Sequence, residues 1–231
     1  MKKLLVLALV ICCLSCQKET VADFTLNGTV KGLKKGTLYL QKFKDSVYVT
    51  LDSASLNGNS NFTLKSELSQ PEVLFLKLDK NSKEENVIPF FANKGITQIN
   101  TSLKNFNFDA EIIGSKQQKL LDEYLKVMNR YNNQNLDIIE ASFLAQKNKD
   151  SVALDSLTKQ STKLIKKKYS YTIQFAINNN DSEIAPYLAL YEIPDANPVF
   201  IDSIYKGLSE NVKNSLYGIE LNTFISELNE E

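Results

Sequence analysis

Apolar and polar side chains alternate with a period of two along residues 24–114, as in strands that bury one face. Gly, Asn, Lys and Ser separate the apolar runs and favour turns. The pattern predicts strands at residues 24–30, 36–43, 47–56, 62–68, 72–79, 86–93, 96–103 and 106–114. Short strands joined by tight turns are typical of an antiparallel β-sandwich or a barrel-like domain.

The apolar period becomes helical after residue 114. Ser115 and Gln118 have the spacing of a capping box, which predicts the start of a helix. Further helices are predicted after residue 150, where the helix continues through residues 169–177, and around residues 184–191, 201–208 and 212–228. The chain is therefore predicted to be α+β, with a β domain at residues 23–114 followed by a C-terminal helical domain at residues 115–231.

The N-terminus has the layout of a secretory signal peptide. Two lysines follow Met1, and an apolar run then extends over residues 4–14. This run is shorter than the about 20 residues that a membrane-spanning helix needs. Residues 13–16, CLSC, resemble the lipobox of bacterial lipoproteins, except that Cys13 occupies the position where leucine is usual. The resemblance implies a signal peptide at residues 1–15, lipidation of Cys16 and a tether at residues 16–22.

The cysteines all lie in this leader, at Cys12, Cys13 and Cys16. Three clustered cysteines could also bind a metal, but an apolar leader offers no folded scaffold for one. The four residues after Cys16, QKET, resemble the signal that exports some Bacteroidetes lipoproteins to the cell surface, although a plain solvated tether has the same composition. We therefore expect an outer-membrane lipoprotein of the cell envelope, either periplasmic-facing or surface-exposed.

Composition excludes several kinds of site. The 231 residues include 27 basic and 27 acidic side chains, so no nucleic-acid partner is expected. The chain has no histidine, which excludes Ser-His-Asp catalysis and histidine-bearing metal sites. Cleavage before Cys16 would leave no free thiol. We therefore expect no enzyme activity, no cofactor and no metal.

Four segments carry a resemblance to a known family: FTLNGTVKGLKKGTLYLQK (24–42), LDSASLNGNSNFTL (51–64), IPFFANKGITQIN (88–100) and AEIIGSKQQKLLDEY (110–124). They resemble a Bacteroidetes lipoprotein module of unknown function, of the DUF4369 type, which usually precedes a thioredoxin-like domain in thiol–disulfide interchange proteins. The resemblance implies a location outside the cytoplasm and a β-plus-helix architecture. It does not imply redox activity, since the chain has no Cys-x-x-Cys beyond the leader.

Carboxylates are the best catalytic groups that remain, because paired acids can hydrolyse glycosides. The candidates at turns and strand ends are Asp45, Asp52, Asp79, Glu84, Glu85 and Asp109. Ordinary solvated turn residues are the alternative. Most aromatic residues of the β region are expected in the core, with Phe106 and Phe108 on one inward face, and exposed ones could stack on a sugar or a partner; the others are Tyr39, Phe90 and Phe91.

An Asp-Ser pattern that resembles a Bacteroidetes O-glycosylation motif recurs at Ser46, Ser53, Ser151, Ser156 and Ser203. Helix capping is the alternative explanation, and Ser151 is expected to begin a helix.

These observations favour a non-catalytic binding or interaction module that is attached to the membrane by an N-terminal lipid anchor, with an envelope protein as a candidate partner. Two alternatives remain open. One is an accessory subunit of a thioredoxin-like thiol–disulfide exchange system, and the other is a carboxylate-based glycan hydrolase.

Overall fold

The structure is a computed structural model that describes residues 22–80 and 86–228. The strands are β1 (Phe24–Lys31), β2 (Lys35–Lys44), β3 (Val47–Asn57), β4 (Asn61–Ser66), β5 (Glu72–Asp79), β6 (Asn86–Ala92), β7 (Gly95–Ser102) and β8 (Glu111–Ile113). The helices are α1 (Lys116–Lys147), α2 (Ser151–Asn178), α3 (Ile184–Tyr191), α4 (Pro198–Gly207), α5 (Glu210–Lys213) and α6 (Leu216–Leu228). Strands followed by helices confirm the predicted α+β class.

The described strands form two sheets of four. The first sheet has the order β4-β1-β7-β8, and the second has the order β3-β2-β5-β6. The predicted antiparallel pairing is confirmed at every pair except β1 and β7, which run parallel. A parallel pair requires a long crossover. Here the connection from β1 to β7 contains all four strands of the second sheet.

The inner faces of the two sheets share one apolar core, as in a sandwich. Strand alternation supplies it: Leu74, Leu76 and Leu78 of β5 all lie in this core. The other fully or almost fully buried members are Phe24, Leu26, Val30, Leu33, Leu38, Leu40, Leu64, Leu68, Ile88, Phe90, Ala92, Ile99 and Phe106. One continuous cluster drawn from both sheets confirms the predicted sandwich.

The last predicted strand, residues 106–114, is mostly wrong. Only Glu111–Ile113 form a strand, and a turn precedes it. The backbone N–H groups of Phe108 and Asp109 both donate to the Asn105 carbonyl, each at 2.9 Å. This turn removes the period of two, so Phe106 is buried at 2% exposure whereas Phe108 is 92% exposed. The expectation that both rings face inward is therefore wrong.

Two long helices dominate the helical region. α1 has 32 residues, which at about 1.5 Å per residue is about 48 Å of helix. α2 has 28 residues and includes the predicted helical segment 169–177. The last predicted helix is instead two, α5 and α6. Ser215 separates them, since its hydroxyl donates to the Val212 carbonyl at 2.7 Å and accepts from the Gly218 N–H at 3.3 Å.

The start of α1 is attached to β6, the edge strand of the second sheet. The Ser115 hydroxyl accepts from the Gln118 N–H at 3.0 Å, which confirms the predicted cap. The same hydroxyl donates to the Phe91 carbonyl at 2.8 Å, and the Gln118 side-chain oxygen accepts from the Phe91 N–H at 2.7 Å. Both backbone groups of Phe91 are thus bound by the helix start.

The outer face of the second sheet is partly covered by helices. Phe91 is buried in a cluster with helical side chains, and Val73 of β5 packs against it. The helical members are Leu121, Tyr124, Met128, Ile184, Leu188 and Tyr217. This second core joins the strands to the helices and ends beside an open cleft.

Candidate functional site

An aromatic cleft lies where the outer face of the second sheet meets α3 and α6. Its volume is about 200 Å³. The sheet wall consists of Phe43, Tyr48, Glu72, Val73 and Phe75, and the helix wall consists of Tyr187, Tyr191, Leu216, Tyr217 and Glu220. Six of these ten residues carry an aromatic ring, which makes the cleft the strongest candidate for a ligand site in the described part of the chain.

Strand register explains the apolar part of the sheet wall, whereas Glu72 has the parity of Leu74 and lines the cleft from the first position of β5. Leu74 and Leu76 of β5 point into the sandwich core, so Val73 and Phe75 lie on the opposite face. Phe43 and Tyr48 are directly opposed partners across the β2–β3 hairpin. The hairpin turns through Asp45 and Ser46, whose φ angles of 50° and 64° are the positive values that tight two-residue turns need. This turn places the pair of rings at the cleft mouth.

The rings stand at steep angles to one another. Tyr48 meets Phe43 with centroids 5.1 Å apart and planes at 61°, and it meets Phe75 at 5.1 Å and 87°. On the helix wall, Tyr191 meets Tyr217 at 6.1 Å and 88°. Rings set edge to face form corners, so the cleft presents ring faces from more than one direction.

The two walls are fastened together at the base of the cleft. The Val73 N–H donates to the Tyr217 hydroxyl at 2.8 Å, and the Leu216 N–H donates to the Gln70 side-chain oxygen at 2.8 Å. Tyr217 is almost fully buried. Because both bonds join α6 to the start of β5, the helix wall is held in a fixed position against the sheet wall.

Two half-buried carboxyl groups face this cleft, one from each wall. Burial raises the pKa of Glu72, while the charge of Lys42 lowers it and that of Glu220 raises it. Burial also raises the pKa of Glu220, and a hydrogen bond that the Tyr191 hydroxyl donates at 3.3 Å opposes the shift. Burial is likewise the main reason that the pKa of Tyr191 rises to about 12. Both carboxyls are therefore partly desolvated beside aromatic rings.

The carboxylates singled out from the sequence do not come together. Asp79 pairs opposite Thr37 on β2, whereas Asp45 follows the far end of β2, roughly 25 Å away at about 3.3 Å per residue. Asp52 accepts from the Lys65 and Ser53 N–H groups, both at 2.7 Å. These three residues occupy separate local environments, and none of them lines the aromatic cleft.

Of the remaining predicted residues, Asp109 lies in the described part of the chain and three others do not. The Asp109 carboxylate accepts from the Ser102 hydroxyl at 2.6 Å and holds the turn before β8. Cys16, Glu84 and Glu85 lie outside the described residues, so lipidation of Cys16 stays a prediction.

The serines of the Asp-Ser pattern have ordinary structural positions. Ser151 begins α2 as expected, and Asp150 caps that helix by accepting from the Ala153 N–H at 2.9 Å. The Ser203 hydroxyl donates to the Val199 carbonyl at 2.7 Å within α4. Ser46 lies in the β2–β3 turn, Ser53 in β3 and Ser156 in α2. Glycosylation at these residues stays a prediction.

Residues 22–80 and 86–228 contain no cluster of three or more potential metal-binding His, Cys, Asp or Glu side chains. No helix in these ranges has the length and apolar character needed to cross a membrane.

The fold and cleft define a two-sheet sandwich joined to a helical domain, with an aromatic site at the junction. Residues 24–121, which cover the strands and the start of α1, match the family model of DUF4369, a domain of unknown function. The comparisons with curated proteins and with solved structures give no significant match. The match confirms the resemblance seen in the strand segments.

Proposed function

We propose that this protein is a non-catalytic binding module of the cell envelope, held at the outer membrane by a lipid on Cys16, and that its ligand site is the aromatic cleft. The observation that carries the proposal is the open, ring-lined cleft at the junction of strands and helices. Small-molecule sites favour such junctions, and they combine apolar walls with a few polar groups.

Exposure of the cleft aromatics supports a binding role. Phe43 is 55% exposed and Tyr48 is 56% exposed, at the end of the β2–β3 hairpin. Neighbouring exposed rings leave apolar surface in contact with water. A ligand that covers the rings removes this surface from water, which makes the free energy of binding more favourable. Isolated exposed apolar residues are common, but here the rings converge on one cavity with two carboxyls.

The binding site is tested by fragment titration of the full chain in a maltoside detergent, followed by tyrosine and amide NMR shifts. Fragments should shift the signals of Phe43, Tyr48 and Phe75, and Phe43→Ala should weaken the fragments that bind there by fivefold or more. Phe143→Ala is the matched control, because Phe143 is similarly exposed on α1 and lies outside this cleft. A screen in which the shifts fall elsewhere contradicts the assignment of the site.

The anchor is tested separately by metabolic labelling with a clickable fatty acid. The wild-type chain should be labelled and should fractionate with membranes, and Cys16→Ala should lose the label. Equal labelling of both forms, or labelling of neither, rules out the anchor at Cys16.

The two carboxyls favour glycoside hydrolysis as a second candidate. Glycosidases place two acids around the scissile bond, and one of them needs a raised pKa. Glu72 and Glu220 line the same cleft from opposite walls, and burial raises the pKa of each. Aryl glycosides should then release their chromophore with the wild type but not with Glu72→Gln or Glu220→Gln. No release across a panel of glycosides removes this candidate and leaves the binding proposal intact.

A further inference from the structure

We propose that the aromatic cleft recognises an alkylammonium group, which sits among the rings of Tyr48, Phe75 and Tyr191 between the carboxylates of Glu72 and Glu220. The inference rests on the proposed function, since it names the chemistry of the ligand for the same site.

The rings supply the first part of the argument. The face of an aromatic ring is electron-rich and attracts a cation placed within about 6 Å of its centroid. Tyr48 and Phe75 are nearly perpendicular, at 87°, as are Tyr191 and Tyr217, at 88°. Perpendicular neighbours bound a corner on two sides, which suits a compact, roughly spherical group such as an ammonium. A sugar ring, in contrast, stacks on one flat and open ring face.

Charge supplies the second part. Two acidic residues line the cleft, one on β5 and one on α6, and the ten lining residues include no lysine or arginine. Lys42 acts on Glu72 electrostatically but is not part of the lining. Two carboxylates facing one cavity repel an anionic ligand, and a bound cation offsets their mutual repulsion. Burial raises the pKa of both groups, and a cation bound beside them would favour their charged forms.

Size supplies the third part. The cavity of about 200 Å³ is smaller than the roughly 300–1,000 Å³ of drug-sized pockets. A trimethylammonium head and the end of a lysine side chain are both compact, so the cleft suits a small cationic group better than an extended chain.

Calorimetry with charged and neutral isosteres separates this inference from the proposed function. The full chain in a maltoside detergent is titrated with choline and with 3,3-dimethyl-1-butanol, which has the same shape without the charge. Choline should bind at least about tenfold more tightly, since desolvated cation–π and carboxylate contacts both favour the charge.

A second pair of probes distinguishes the source of the ammonium group. Nα-acetyl-lysine N-methylamide is compared with its norleucine counterpart. A preference for lysine points to a peptide ligand, whereas a preference confined to choline points to a quaternary ammonium compound; either result supports the inference. Binding of the neutral isosteres or of glucose as tightly as the cations overturns it, while leaving the cleft as a binding site. Absence of binding by every probe and fragment overturns the proposed function as well.

Variants locate the effect in the cleft. Glu220→Gln should weaken choline binding threefold or more and leave the neutral isostere unchanged, whereas Glu140→Gln, at an exposed position on α1, should change neither. Tyr48→Leu keeps an apolar side chain but removes a ring face, and it should weaken choline more than the isostere. Circular dichroism confirms that each variant is folded. Unchanged choline binding in both cleft variants overturns the inference.

Discussion

The two faces of the second sheet are built from different chemistry. The inner face is mainly aliphatic, and its side chains from β5, Leu74, Leu76 and Leu78, are at most 3% exposed. On the outer face, helices cover Phe91 and part of Val73. Beside these residues the surface is open and forms the aromatic cleft. A single strand thus contributes Leu74 and Leu76 to a closed core on one side and Val73 and Phe75 to the aromatic cleft on the other. Residues of the inner face therefore stabilise the fold, whereas residues of the outer face at the cleft are accessible to a ligand.

The largest expected effect is on the inner face. Phe90 is fully buried in the sandwich core, and Phe90→Ala should lower the free energy of unfolding by about 3–5 kcal/mol through lost burial and a new cavity. Urea denaturation followed by circular dichroism measures this. A loss below about 1 kcal/mol would show that the inner face is not the main stabilising surface.

The next largest effect on stability is expected at Tyr217, where α6 covers the outer face of the second sheet. Tyr217→Phe keeps the ring but removes the hydroxyl that accepts from the Val73 N–H. An unsatisfied buried donor costs about 1–3 kcal/mol, so unfolding should become easier by that amount. Tyr205→Phe is the control, because Tyr205 is a half-buried ring of α4 that packs in a different apolar cluster from Tyr217. Equal losses in both variants contradict the role assigned to the Tyr217 hydroxyl.

A smaller effect concerns pH at the cleft. Burial raises the folded-state pKa of Glu72 above its ordinary value of 4.5, with Lys42 and Glu220 as the nearby charges. The folded state therefore holds this proton more tightly, and the resulting stability is present below pH 4.5 and is lost as pH rises through the raised pKa. The Glu72→Gln variant has no carboxyl group at this position, so it does not lose this stability as pH rises. Its thermal midpoint relative to wild type should increase from pH 4 to pH 7, and a constant difference would contradict the shift.

The smallest effect on stability is expected at the open end of the outer face. Phe43→Ala removes a side chain that is more than half exposed, so the free energy of unfolding should change by about 0.5 kcal/mol or less. The same variant should weaken ligands of the cleft. Loss of stability comparable to that of Phe90→Ala would mean that the outer rings belong to the core after all.

The strands were predictable because alternation is a local signal. Residues 24–30 alternate clearly, and the structure places β1 over Phe24–Lys31. Residues 106–108 also alternate, but the turn at Asn105 prevents a strand there. Local pattern alone cannot distinguish these cases, since the turn depends on hydrogen bonds with β7, such as the one the Thr101 hydroxyl donates to the Phe106 carbonyl at 2.8 Å.

The cleft was not predictable in the same way. Its walls come from four segments, residues 43–48, 72–75, 187–191 and 216–220, which are far apart in the chain. Residues 73–76 are all apolar, so the local pattern shows neither which face Phe75 takes nor that the helices stop short of it. The one local signal was the pair of aromatic residues flanking the β2–β3 turn, Phe43 and Tyr48, which marks a hairpin end with exposed rings.

The attachment of α1 to β6 also determines how the sheet can associate with other chains. An edge strand normally offers a row of free N–H and C=O groups to which a foreign strand can add. In β6 the outward row includes Phe91, whose two groups are taken by Ser115 and Gln118, and two residues earlier Pro89, which has no N–H to donate. This stretch of the edge therefore disfavours strand addition and edge-to-edge aggregation. A partner that approaches residues 89–91 meets mainly side chains.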